Sequence, residues 1–203
     1  MKFNIYLKVT LVLVLCVYQL GCQHENKQPK AIFAEEISKR QARQIESMNI
    51  YHLGLTAYHD SLISQAHEHF TNAINVDEQN VYAWMMLGLV EYKQDNLFKA
   101  AYAFHQAAVL EPDRYEPHFN IGTIQESVDR YGQAIEAYET ALKLAPDQVE
   151  IMENLARCYI KTNQKLDKAQ QLIVRALVAE QRPQWRMWLE NQALRLSSKK
   201  EEN

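Results

Sequence analysis

Three glycines, Gly54, Gly88 and Gly122, stand 34 residues apart, and Ala156 continues the series at the same interval. A large aliphatic residue precedes each: Leu53, Leu87, Ile121 and Leu155. Twelve residues beyond the first three comes an alanine (Ala66, Ala100, Ala134), and four further on an aromatic ring (Phe70, Phe104, Tyr138). Ala73, Ala107 and Ala141 follow, and Pro112 and Pro146 keep the same interval. The fourth copy has the same order with one residue inserted between Thr162 and Asp167, so that Ala169, Ile173 and Ala176 take the corresponding places. A period of this length constrains the fold more than any figure of composition. The chain must be a stack of like units, each with an apolar face that only its neighbour can cover.

Each unit reads as two helices. Trp84, Leu87 and Gly88 share one helix face at i, i+3 and i+4, and Ala100, Phe104 and Ala107 line a stripe of the next. Glycine inside a helix costs about 1 kcal/mol against alanine, so its recurrence predicts a close approach of another element at that point. Pro112 and Pro146 stop the second helices, and Asp113 and Asp147 stand where they can cap the next ones. Five glycines and five prolines in 203 residues do not supply the turns that an all-β chain needs.

This pattern resembles the tetratricopeptide repeat (TPR), with units at 47–80, 81–114, 115–148 and 149–183. The second is the clearest, AWMMLGLVEYKQDNLFKAAYAFHQAAVLEP from Ala83 to Pro112. The family often has tyrosine three residues after its glycine; here only Tyr159 fits, and Ala57, Glu91 and Gln125 take the other places. The resemblance implies an all-α right-handed superhelix, an α-solenoid of four helix-turn-helix repeats within residues 47–183. Residues 184–203 then read as a C-terminal capping helix and tail, with Trp185, Trp188, Leu189 and Leu196 on its inner stripe.

Ahead of the stack the chain changes character. Lys2 and Lys8 flank an apolar run from Val9 to Tyr18, and no acidic residue precedes Cys22. That is the pattern of an export signal, too short for a comfortable membrane span. Leu20-Gly21-Cys22 resembles a bacterial lipobox, which implies a signal over residues 1–22 and a lipid on Cys22. Gln19 departs from the aliphatic residue usual in that pattern. Gln23 rather than Asp after the cysteine implies the outer membrane of a bacterial envelope, with the protein facing the periplasm. Residues 23–30 read as a polar linker and 31–46 as a helical arm leading into the first unit. With Cys16 lost and Cys22 lipidated, Cys158 would have no disulfide partner.

Catalytic patterns are missing. His67 and His69 lie two residues apart, not at the i and i+4 of a helical metal pair. His52 and His59 could share a face but lack an evident third ligand. Cys158 has no identified base, no serine sits in a Gly-x-Ser-x-Gly elbow, and no glycine-rich phosphate loop occurs. We therefore expect neither enzyme activity, nor a cofactor, nor a bound metal. A net charge of −3 carries no basic excess for nucleic acid.

The resemblance implies instead a protein partner held on the concave side, which the first helices of the pairs line. Unit one contributes Met48, Tyr51, Leu55 and Tyr58, and unit two Tyr82, Met85, Leu89 and Tyr92. Unit three contributes Glu116, Phe119, Thr123 and Glu126, and unit four Glu150, Glu153, Arg157 and Ile160. One end is aromatic and apolar, the other mostly acidic. The expected ligand is an apolar or basic peptide or helix, bound by an adaptor or assembly factor tethered to the membrane through its N-terminal lipid. A self-assembling envelope scaffold of like copies is the alternative. Adaptors of this family that bind acidic C-termini use Lys, Arg and Asn in the groove, and Tyr51, Leu55, Leu89 and Phe119 stand there instead.

Overall fold

The computed structural model describes residues 29–179 and 183–201. Cys22 and the signal-like segment lie outside the described residues. Nine α-helices and no strand occur among those described: α1 (Pro29–His59), α2 (Ile63–Val76), α3 (Val81–Lys93), α4 (Leu97–Leu110), α5 (Tyr115–Ser127), α6 (Tyr131–Leu144), α7 (Val149–Thr162), α8 (Leu166–Ala179) and α9 (Pro183–Glu201). The chain divides into two compact units, residues 1–43 and 44–203, so the boundary falls within α1. In the first, Lys39 pairs with Glu35 at 3.0 Å and with Glu36 at 3.5 Å, one helical turn away. None of the described helices is long and apolar enough to cross a membrane.

The second unit is an all-α solenoid. Each expected pair is present: the end of α1 with α2, α3 with α4, α5 with α6, and α7 with α8. The glycines explain why the pairs close so tightly. A Cβ on Gly54 would lie 2.6 Å from Phe70 Cε1, one on Gly88 2.6 Å from Phe104 Cε1, and one on Gly122 2.6 Å from the Tyr138 ring. The ring of the second helix therefore rests directly on the backbone of the first. Phe70, Phe104 and Tyr138 are buried in consequence, each contributing about 1.5–3 kcal/mol of burial. In the fourth unit Ile173 replaces the ring and Ala156 the glycine, and both are fully buried in one apolar cluster. The pair of positions exchanges size between its members while filling the same space.

The turn inside each pair also repeats. Ser61, Asp95, Asp129 and Asn163 have φ between 54° and 63°, a left-handed conformation that short polar side chains tolerate best. The amide that follows closes back on the helix: Leu62 N–H to Ala57 O at 2.8 Å, Asn96 to Glu91 at 2.9 Å, Arg130 to Gln125 at 2.9 Å and Gln164 to Tyr159 at 2.9 Å. This is the six-to-one bond of a helix C-terminus ended by a left-handed residue. The inserted residue of the fourth unit is absorbed at Lys165, which takes a second positive φ of 45°.

Between pairs, the capping expectation needs correction. Arg114 and Gln148 occupy the N-cap positions of α5 and α7, without a side-chain cap bond, so Asp113 and Asp147 lie one residue outside. The cap that forms is Asn80, whose Oδ1 accepts the Ala83 amide at 3.0 Å. Its Nδ2 donates to Ser47 Oγ at 2.8 Å, and Ser47 Oγ donates to Ala73 O at 2.7 Å. This buried chain pins α1, α2 and α3 together. At the far end α9 lies on α8: Leu189 and Leu196 are buried in the cluster that holds Leu172, Ile173 and Ala176, and Arg186 Nη1 donates to Leu177 O at 3.2 Å. Trp188 packs beside them and meets Trp185 edge-on, their ring centroids 6.1 Å apart.

Candidate functional site

The face presented by the first helices carries the expected groove residues. In the first pair, Tyr51, Leu55 and Tyr58 are half-buried against Phe70 and Val90. The Tyr51 ring lies 5.9 Å from that of Phe70 and 6.1 Å from that of Tyr82, which joins the faces of α1 and α3. Burial, with the neighbouring Tyr82, raises the Tyr51 hydroxyl pKa above its usual value. In α3, Met85 and Leu89 are half-buried on Phe104 and Ile124. Tyr82 and Tyr92 are more open, 44% and 38% exposed. Tyr51, Leu55, Tyr58, Met85 and Leu89 thus anchor on the solenoid core, and Tyr82 and Tyr92 stand open beside them.

Cations flank the rings. Arg114 stands 5.1 Å from the Tyr82 ring centroid, and Lys93 Nζ 5.3 Å from that of Tyr58. Arg114 is held by Glu111 at 2.6 Å and Glu116 at 3.4 Å. Arg114, at the N-cap of α5, was not legible as a groove residue: it lies at the end of the unit that Tyr82 begins and folds back to it.

At the other end Glu116 and Glu150 reach the surface, whereas the remaining two carboxylates are engaged or enclosed. Glu126 is taken by Arg157, whose Nε donates to Oε1 at 2.6 Å and whose Nη2 donates to Oε2 at 2.9 Å. Both charges are thus spent on each other in a bidentate pair. Glu153 is only 2% exposed, so this expected groove residue is enclosed rather than displayed. The reason is local: α7 packs against α5, α6 and α8 and is buried along most of its surface. Phe119 lies 5.7 Å from the Tyr138 ring and is half-buried with it.

Tyr138 anchors a polar cluster beneath this end. Its Oη donates to Glu126 Oε2 at 3.0 Å, stands 3.2 Å from Thr123 Oγ1, and accepts from Asn154 Nδ2 at 3.3 Å. The cluster explains why the third ring is tyrosine where the first two are phenylalanine, a difference legible in the sequence. Burial, with the Glu126 carboxylate beside it, pushes the Tyr138 hydroxyl pKa well up. Cys158 is buried next to the same carboxylate, and its thiol is pushed up to about 12, mainly by desolvation.

A second buried carboxylate, Glu91, sits where the family often has tyrosine. His67 Nε2 lies 3.0 Å from its Oε1, and Asn96 Nδ2 donates to its Oε2 at 2.8 Å. His67 comes from α2 and Glu91 from α3, so the contact links adjacent pairs. Among the described residues no three His, Cys, Asp or Glu side chains stand together as a metal site.

Two family models described as tetratricopeptide repeat match residues 51–117 and 127–190. No curated protein matches the sequence. Solved structures with the same fold include MamA, at 22% identity over 64% of this chain and 76% of its own, with a TM-score of 0.61. YrrB, a TPR protein with an unusual peptide-binding site, is 14% identical over 75% of this chain and 76% of its own, with a TM-score of 0.64. The first TPR of Spaghetti (RPAP3), bound to the HSP90 peptide SRMEEVD, is 14% identical over 58% of this chain and 94% of its own, with a TM-score of 0.56. At these identities the likeness is one of fold.

Proposed function

The chain belongs to the tetratricopeptide repeat family, and from that premise we propose that it is a non-catalytic adaptor that binds a peptide or helix of a partner protein on its first-helix face. The observation that carries this reading is the strip formed by Tyr82, Met85, Leu89 and Tyr92 on α3, continued by Tyr51 and Tyr58 on α1. Rings and thioether side chains held at the base and open at the edge suit an apolar partner surface. Solved relatives of this fold include proteins whose names state a peptide ligand or a peptide-binding site.

The partner's chemistry is apolar rather than basic. Glu126 is neutralised by Arg157 and Glu153 is enclosed, so of the four carboxylates at that end only Glu116 and Glu150 remain at the surface, and the apolar strip supplies most of the contact area. Hydrophobic contact then carries the affinity, and salt should change it little.

The tether belongs to the same proposal. The signal-like segment and Cys22 support export and lipid attachment in a bacterial envelope, with the solenoid facing the periplasm. Crosslinking and capture from membranes tests both parts together. Wild type should retain a partner that the Tyr82→Ala, Tyr92→Ala variant loses while staying helical by circular dichroism. A partner retained by the variant rejects the first-helix face.

A second reading, a scaffold of like copies, draws on Leu53. Its counterparts Leu87, Ile121 and Leu155 pack on the preceding pair, whereas Leu53 is 56% exposed. Sedimentation that changes with protein concentration, and reverts in Leu53→Gln, favours it.

A further inference from the structure

The second helices of units three and four enclose a cleft that the adaptor reading does not use. Its volume is about 390 Å³, and α6, α7 and α8 each contribute to its walls. That volume lies within the usual range of small-ligand sites, about 300–1,000 Å³. The floor is apolar, made by Leu142, Leu155 and Leu172. The rim carries three cations, Lys143, Lys168 and Arg175.

The charge balance of this rim is unusual for a chain of net charge −3. Glu139 is the one acidic residue of the lining, and its charge is already engaged. Lys165 Nζ donates to its Oε1 at 2.6 Å, and Tyr159 Oη donates to the same oxygen. These two donors hold the Glu139 carboxyl below its usual pKa. Arg175 donates to Pro146 O at 2.7 Å, which fixes its guanidinium at the edge of the cleft. Lys143 and Lys168 form no ion pair within 4.0 Å with a described residue. The cleft therefore joins an apolar floor to a rim of three cations against one lining carboxylate, with Arg175 also 4.0 Å from Asp147 and Lys168 near enough to Glu139 to help hold it ionised.

We propose that this cleft binds a small amphipathic anion, a short aliphatic or aromatic body carrying one carboxylate. The body would displace water from Leu142, Leu155 and Leu172, and the carboxylate would meet the ammonium groups of Lys143 and Lys168 at the rim. Neither half suffices alone. An anion without a body leaves the floor wet, and a neutral body leaves the lysines without a counter-charge. The site is independent of the first-helix face, since its residues come from the opposite members of the helix pairs and from the far side of α7.

Calorimetry on the full chain in lipid nanodiscs, with empty discs subtracted, tests this with three probes: 4-phenylbutyrate, its neutral amide, and acetate. Phenylbutyrate should bind saturably and at least tenfold more tightly than either control. Lys143→Gln with Lys168→Gln should weaken it to the level of the amide, and Lys143→Arg with Lys168→Arg should retain it, each variant staying helical. The proposal is overturned if no saturable heat appears, if the amide binds as tightly as the acid, or if the glutamine variant binds undiminished.

Discussion

A methyl group on Gly88 would stand 2.6 Å from Cε1 of Phe104, well inside van der Waals contact. The two residues are 16 apart in sequence, on the first and second helices of one pair, and their contact sets how closely those helices approach. Gly54 with Phe70 and Gly122 with Tyr138 repeat it. The fourth pair solves the same problem with Ala156 and Ile173.

Gly88→Ala should therefore destabilise the protein. Overpacking costs about 1–3 kcal/mol, and better helix propensity returns up to about 1 kcal/mol, so a net loss of up to about 2 kcal/mol is expected in chemical denaturation. Adding Phe104→Ile should recover part of the loss, because it recreates the pairing of Ala156 with Ile173. A double mutant no better than the sum of its singles contradicts the size exchange.

Gly132 supplies the control. Apart from its chain neighbours and the backbone of its own helix, nothing lies within 4 Å of a Cβ placed there, and the residue sits within α6. Gly132→Ala should raise stability by about 0.4–1 kcal/mol. A loss of stability at Gly132 would show that backbone freedom, and not the ring contact, governs these glycines.

Asn80 performs two tasks that substitution can separate. Asn80→Asp keeps an oxygen to accept the Ala83 amide but removes the donor to Ser47. Asn80→Ala removes both and should cost about 1–2 kcal/mol. If the aspartate variant matches wild type, the buried Ser47 bridge adds nothing; we expect it to fall measurably below, because the Ser47 hydroxyl gives its proton to Ala73 O and would turn its lone pairs toward a buried carboxylate.

With its thiol pushed up to about 12 by burial and by the Glu126 charge, Cys158 should be protonated and unreactive at neutral pH. In a chain with Cys16→Ser and Cys22→Ser, a disulfide reagent should label it only after unfolding in guanidinium. Rapid labelling of the native protein would mean that α7 opens readily.

The sequence made the architecture legible because its signal is one of size. A ring needs a small residue opposite it, and that requirement recurs at a fixed interval from Gly54 to Ala156. The left-handed turn residues recur at the same interval but in three chemical types, Ser61, Asp95 and Asp129, and Asn163, so residue identity hid them. The resemblance implied the groove positions, and helical spacing puts Tyr82, Met85 and Leu89 on one face. Their electrostatics did not follow. The pairing of Glu126 with Arg157 and the enclosure of Glu153 depend on contacts between units, and the reach of Arg114 to Tyr82 joins the two ends of one unit; no helix-face pattern encodes either.

A partner on the first-helix face would lie within crosslinking reach of α3. A photo-crosslinking residue at Leu89 tests it most directly against one at Phe98, which lies on α4 and is 87% exposed. A discrete adduct with a different protein should form from Leu89 and be lost when Tyr82→Ala is added, with none of that mass from Phe98. Equal adducts from both positions, or adducts from Leu89 made only with a second copy of this chain, would contradict it.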